Sequence, residues 1–204
     1  MQKVKTKLKI ALTGGYASGK STVLKRFAEK GFLTYSADLI YAELLENEEF
    51  VRKISEILGI SFETVNGKLY FDRRLVSGLV FNDKEKLASL NSFTHKAVYD
   101  RINEIYDNCD NCKIIFEIPL LFEDGKQDDF DLVIVVMRNA ESRIRAGALR
   151  DEISEDNAVL RIKNQFDYNK IAHSEHTLIY NDGSIDALNA EVDGLIEKIE
   201  RSCN

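Results

Sequence analysis

Residues Gly14-Gly-Tyr-Ala-Ser-Gly-Lys-Ser21 follow the spacing G-x-x-x-x-G-K-S, which suits one chemistry above all, the holding of a nucleoside triphosphate by its phosphates. A phosphate chain needs backbone N–H groups fanned around it at the start of a helix. Gly14 and Gly19 give the backbone that freedom, because a Cβ at either point would oppose positive φ or the close approach of an anion. Lys20 reaches the β- and γ-phosphates as a point charge, and the Ser21 hydroxyl is the expected Mg²⁺ ligand. Gly15, Ala17, Ser18 and Thr22 complete the cofactor-binding stretch. Asp38 is placed to accept or orient the proton of an attacking hydroxyl; its other reading is a helix N-cap. Glu117 is the candidate acid for the ion or one of its waters. Arg143, Arg145 and Arg150 read either as a lid that brings charge to the transferring group or as a solvated basic helix face.

These groups need strands to carry them and helices to cover the strands. The apolar run Leu8–Thr13 suits a buried strand feeding the phosphate loop, and Val23, Leu24 and Phe27 share one face of the helix that follows, with Gly31 as its stop. Residues 32–35 read as a second strand. Lys113–Ile118 and Asp131–Val136 are β-branched runs with little alternation, as expected for strands covered on both faces of a parallel sheet. Thr177–Tyr180 reads as a fifth. Ser154 can cap a helix running to about Phe166, and Leu188, Val192, Leu195, Ile196 and Ile199 mark a last amphipathic helix. Between the second and third of these strands, Asp38 to Leu45, Phe50 to Leu58 and Lys84 to Tyr106 have helical spacing, with a turn between extended flanks over Val65–Phe71. The expected fold is α/β, a doubly wound parallel sheet like that of the phosphate-loop NTPases. Residues 1–38 and 113–204 would form the nucleotide-binding core, with a small lid at about 140–152. Residues 39–112 would form a mostly helical, substrate-binding insertion.

Composition bounds the partners. With 28 basic against 34 acidic residues the net charge is −6, so no positive field exists to release counterions from a nucleic acid or to hold an anionic membrane. The apolar stretch after the basic N-terminus is too short for a signal h-region and no stretch is long enough to span a bilayer, so a soluble, cytoplasmic chain is expected. Cys109 and Cys112 form a C-x-x-C in a polar stretch, read as a solvated loop or, alternatively, a redox or metal pair; Cys203 stands apart.

Several further stretches together resemble the dephospho-CoA kinase family, which carries out the last step of coenzyme A synthesis. Ser36-Ala-Asp38 is similar to that family's Asp-Ala-Asp turn, Asp72-Arg-Arg74 through Val80-Phe81 to its D-R-x-x-L-x-x-x-V-F, and Leu90-Asn91 through His95 to its L-N-x-x-x-H-P. Pro119-Leu-Leu-Phe-Glu123 matches P-L-L-F-E outright, and Arg161-Ile162, Gln165, Lys170 and Asn181 follow its later spacing. The resemblance implies ATP and Mg²⁺ as cofactors, dephospho-CoA as the small-molecule partner, and transfer to its ribose 3′-hydroxyl by a monomer or weak homo-oligomer. It also implies Arg73, Arg74, His95 and Glu123 as substrate-facing residues, with a structural histidine as the alternative for His95. Asn181 would lie near the adenine ring or in a helix-capping turn. The chain departs from the family at Ser36, Ala42, Val76, Lys96 and Glu175-His176; Ala42 replaces an arginine that would anchor an anionic substrate group. Other readings are a phosphate-loop kinase of nucleosides or nucleotides, and a nucleotide-binding regulator without turnover.

Overall fold

The computed structural model describes residues 7–65, 68–81, 83–110, 113–171 and 176–203. The chain divides into two compact units, one built from residues 1–36 and 109–204, the other from residues 37–108.

The first unit is a parallel sheet with helices on it. Its strands are β1 (Leu8–Gly14), β2 (Leu33–Ser36), β5 (Lys113–Glu117), β6 (Leu132–Met137) and β7 (Thr177–Tyr180), in the order β2-β5-β1-β6-β7. All neighbours are parallel, which sends each strand's carboxyl end to the same edge. In the middle of the sheet, Ile10, Ala11, Leu12, Ile114, Ile115, Phe116 and Ile134 are fully buried, since a strand sandwiched between helix layers has no face for water. The helices are α1 (Lys20–Glu29), α6 (Ala140–Asp151), α7 (Glu155–Lys163) and α8 (Ile185–Cys203). Leu188, Val192, Ile196 and Ile199 of α8 pack with Val23 and Phe27 of α1 in the core around Ile10, Leu12, Ile115 and Ile134. Phe27 meets Phe32 edge to face with ring centres 5.0 Å apart, an arrangement aromatic quadrupoles favour.

Chain register fixes the site edge. Gly14 lies opposite Val136, while Glu117 lies opposite both Leu12 and Ser36. The phosphate loop therefore leaves the central strand between the ends of β5 and β6. The helix expected to run from Ser154 to about Phe166 is shorter: Ser154 caps it, but it closes at Lys163. Phe166 has turned away to stack on Phe122 at 5.0 Å, and its amide is taken by Glu123.

The second unit holds α2 (Ala37–Leu44), α3 (Glu48–Leu58), the short antiparallel pair β3 (Thr64–Val65) and β4 (Lys68–Leu69), α4 (Arg73–Phe81) and α5 (Lys84–Asp107). The tip of the turn expected at Val65–Phe71, residues 66–67, lies outside the described residues. Phe50, Val51, Ile54, Leu58, Phe62, Val76 and Leu90 form the core, with Phe93 stacked on Phe50 at 5.1 Å. Val76, one of the departures, is thus a core residue. Lys96 sits inside α5, where a proline would remove a backbone donor, and its ammonium pairs with Asp100 one turn on. Asn47 and Asp83 cap α3 and α5 through side-chain oxygens, and Asp72 does the same for α4 by accepting from Arg74 N and Leu75 N.

Asp193 on α8 accepts from Arg26 of α1 at 2.6 and 2.8 Å and pairs with Lys30 at 3.0 Å. Arg26 beside it holds its carboxyl down to about 2, with Lys30 helping. A depressed folded-state value means the stabilisation is complete above the unfolded value of about 3.9 and fades as pH falls toward about 2. Asp193→Asn is therefore expected to lower the urea midpoint at pH 7 and to lower it much less at pH 2, the gap narrowing as pH falls from 4 to 2; an equal offset at both pH values would remove the ion pair as its cause.

Candidate active site

A loop that follows a strand and starts a helix can bind an anion only if its N–H groups face inward. Here the backbone makes the tight turns such a loop needs. Gly14 has φ +149° and Gly19 φ +101°, and Ala17, which has a Cβ, still adopts φ +55°. The start of α1 has Gly19 at the N-cap and no side chain capping it, so its first amides are left for a ligand. A Cβ at Gly14 would stand 2.5 Å from Val136 O, and one at Gly19 would collide with Asn181. The loop's carbonyls point the other way and are met by side chains. Lys20 Nζ donates to Gly14 O at 2.9 Å and Gly15 O at 3.2 Å, Arg143 Nε to Tyr16 O at 2.8 Å, Arg138 Nη1 to Ala17 O at 3.3 Å, and Asn181 Nδ2 to Ser18 O at 2.9 Å.

Beside the loop lies a cavity of about 330 Å³ lined by Gly15, Ser18, Arg138, Arg143, Gln165 and Tyr168, among others. Ser18 Oγ and Arg138 Nε, both on its wall, are buried without hydrogen-bond partners. Orphaned polar atoms beside two guanidinium groups suit a wall that meets a polar, anionic ligand. Burial pushes the Arg143 guanidinium down from its ordinary value, though arginine keeps its charge in proteins. Burial also pushes the Tyr168 phenol up to about 12. It stays a neutral hydroxyl between Thr13 Oγ1 and Pro119 O, 3.3 Å from each. An ion would find the Ser21 hydroxyl at the start of α1 and the Glu117 carboxylate at the end of β5, both in this unit. Among the described residues no group of three or more His, Cys, Asp and Glu side chains is arranged to hold a metal; a magnesium ion, which keeps several waters and shares substrate phosphates, needs only one or two protein carboxylates or hydroxyls.

The other predicted residues fall in different places. Arg143 is turned onto the loop, but Arg145 is not: 69% exposed, it pairs with Glu141 one turn back on α6. Arg150 pairs with Asp151 and lies 5.0 Å from the Tyr16 ring centre. Glu123, expected to face the substrate, is exposed, and one of its carboxylate oxygens accepts from Phe166 N at 2.9 Å and so holds the chain that leaves α7. Asn181 lies at the phosphate loop, and the residue that caps α8 is Ser184, which accepts from Ala187 N at 3.2 Å. In the second unit, Asp38 is exposed in the first turn of α2, two residues too late to be its N-cap. Arg73 and Arg74 are exposed on the first turn of α4, and His95 is half-buried on α5. Burial pushes the Tyr41 phenol up, and the positive charge of Arg73 opposes it. Cys109 lies just past α5, half-buried, while Cys112 and Glu175 are outside the described residues. His176 packs on Phe122, ring centres 5.3 Å apart.

Sequence reasoning gave no role to Tyr16, Arg138, Asp151 or Tyr168. Their partners lie far away along the chain, and only the x positions of a phosphate loop and scattered polar residues stood for them.

The profile of the dephospho-CoA kinase family matches residues 8–187. A dephospho-CoA kinase of Fusobacterium nucleatum is 35% identical over 194 residues, covering 95% of this chain and 96% of its own. Among solved structures, a dephospho-CoA kinase from Campylobacter jejuni aligns with a TM-score of 0.70 at 29% identity, covering 95% of this chain and 97% of its own. TT1252 from Thermus thermophilus aligns with a TM-score of 0.79 at 26% identity, covering 94% and 97%.

Gly19 and Gly31 give a controlled comparison, since both have positive φ but a Cβ at Gly31 meets nothing within 4 Å. Gly31→Ala is expected to cost about 1–2 kcal/mol of stability, the left-handed penalty alone, with ATP affinity unchanged. Gly19→Ala should in addition weaken ATP binding tenfold or more by displacing Asn181. Calorimetric titration with ATP and chemical denaturation of both variants check this.

Proposed function

The chain belongs to the dephospho-CoA kinase family, and we propose that it transfers the γ-phosphoryl group of ATP to the ribose 3′-hydroxyl of dephospho-CoA, giving coenzyme A and ADP. The observation that carries this reading is the uncapped start of α1 directly after a loop with Gly14, Ala17 and Gly19 at positive φ. It is supported by the match of the family over most of the chain.

In this reading the amides of Gly19, Lys20 and Ser21, at the uncapped start of α1, take the β-phosphate. Lys20 exchanges the carbonyls of Gly14 and Gly15, which its ammonium holds at 2.9 and 3.2 Å, for the stronger charge of the β- and γ-phosphates. Ser21 and, directly or through water, Glu117 would hold a magnesium ion, which when bound would neutralise charge on the phosphates. Arg143 supplies positive charge to the transferring group from a site where water is partly excluded, which strengthens its effect. Arg145 and Arg150 belong to this step only through movement of α6, because their present partners are Glu141 and Asp151. Asp38 orients the attacking hydroxyl and accepts its proton. Arg73 and Arg74, exposed side by side in an acidic protein, give a bidentate grip on a pyrophosphate, and His95 adds a polar contact on the same unit. Ala42 leaves that grip without the arginine common in the family.

No helix among the described residues is long and apolar enough to cross a membrane. A cytoplasmic enzyme acting as a monomer or weak homo-oligomer, without nucleic acid as a partner, completes the proposal, and the net charge of −6 supports it.

ADP release should be far faster with dephospho-CoA than with adenosine or AMP, because the remote pantetheine and pyrophosphate groups help orient the ribose. Equal rates on AMP would assign the chain to nucleotide phosphorylation instead. For the base, Asp38→Asn keeps the shape and forfeits at most the helix-dipole contribution, about 0.3–1 kcal/mol. Its kcat is expected to fall about 10²-fold, the lower end for a general base, because a loose transition state asks little of one. A kcat within about threefold of the parent would remove Asp38 from the reaction.

A further inference from the structure

Tyr16 sits at a variable position of the phosphate loop, and the reaction just described gives it nothing to do. Yet it touches both helices that cover the loop. Its N–H donates to Gln165 Oε1 at 2.6 Å, beyond the end of α7, and its carbonyl accepts from Arg143 Nε at 2.8 Å. Its hydroxyl lies 2.6 Å from Asp151 Oδ2 and 3.0 Å from Gly147 O, both on α6. Gly147 is buried against the ring so closely that a Cβ there would collide with it. Asp151 also pairs with Arg150 and with Arg161 of α7, whose guanidinium carbons lie 5.0 and 5.6 Å from the centre of the Tyr16 ring. One carboxylate thus holds two cations that would repel each other, on the face of an aromatic ring that attracts both. The Arg150 and Tyr16 contacts pull the Asp151 carboxyl far below its ordinary value, so it stays charged at neutral pH. Gln165 closes the set, its Oε1 lying 3.4 Å from Arg143 Nη2.

We propose that Tyr16 is a positioning residue that acts through Arg143: by fastening α6 and α7 to the phosphate loop, it fixes where that guanidinium stands relative to the transferring phosphoryl group. This rests on the phosphoryl-transfer reading given above. The side chain is poorly placed to act directly, because its hydroxyl is already engaged with Asp151 and Gly147. Nor is it core, since the ring is only half-buried. What it contributes is alignment, and a misplacement of about 1 Å at such a group can lower a rate about 10²-fold.

Tyr16→Phe removes the hydroxyl and keeps the ring; Gly147→Ala keeps the hydroxyl and pushes the ring off α6. Each is expected to lower kcat for transfer to dephospho-CoA at least tenfold, with KM for either substrate changed less than threefold; the thermal midpoint should stay nearly unchanged in Tyr16→Phe and fall in Gly147→Ala. The decisive comparison is the double variant. Adding Tyr16→Phe to Arg143→Ala should cost little beyond Arg143→Ala alone, because the two share one function. Amide hydrogen exchange across residues 140–163 should also rise in Tyr16→Phe, a readout that needs no acceptor. If the parent enzyme fails to use dephospho-CoA while exchange still responds, the assigned reaction fails and the fastening stands. A Tyr16→Phe kcat within twofold of the parent, multiplicative losses in the double variant, or unchanged exchange would each overturn the proposal. Should Gly147→Ala not fold, Tyr16→Phe and the double variant decide it alone.

Discussion

A loop that aims its amides at an anion must turn its carbonyls outward, and those carbonyls cannot be left bare in a half-buried place. That constraint organises the first unit. From Gly14 to Ser18 each outward carbonyl is met by a side-chain donor: Lys20 from α1, Arg143 from α6, Arg138 from just past β6, and Asn181 from just past β7. The sheet order then has a physical meaning. Only with β1 central and β6 and β7 parallel beside it do the residues that follow those strands come out at the edge where the loop begins.

The same constraint explains what the sequence made legible. Phosphate-loop glycines declare themselves because their conformations are local, and the parallel strands do so because burial on both faces leaves apolar runs such as Lys113–Glu117 and Leu132–Met137. Asn47, Asp83 and Ser154 act within three residues of themselves as caps, so such a role is open to reading from neighbours alone. The partners of Tyr16 are another matter. Gly147, Asp151 and Gln165 are more than a hundred residues away, and nothing local ties any of them to Tyr16. Glu123 adds a contact of the same long-range kind: its carboxylate accepts from the amide of Phe166, 43 residues on.

The departures at Val76 and Lys96 also resolve into packing. Val76 fills core space between helices of the second unit, where any apolar side chain of similar volume serves. Lys96 lies in the interior of α5, whose backbone can use the donor a proline lacks. Neither touches charge chemistry. Ala42 is different in kind, because it subtracts a cation from α2, leaving Arg73 and Arg74 on α4 as the guanidinium pair of the proposed grip.

The pairing of β1 also has a consequence in time. Its partners β5 and β6 begin at Lys113 and Leu132, so a chain emerging from the ribosome holds an apolar strand that must wait for about 100 further residues. At 5–20 residues per second that is about 5 to 20 s during which Leu8–Gly14 has no strand to join. Within that interval residues 37–108, a unit in which α2, α3 and α4 all contact α5, are complete and free to collapse on their own core. The interrupted arrangement thus sets an order of assembly, with the helical unit first and the sheet, together with its phosphate loop, last.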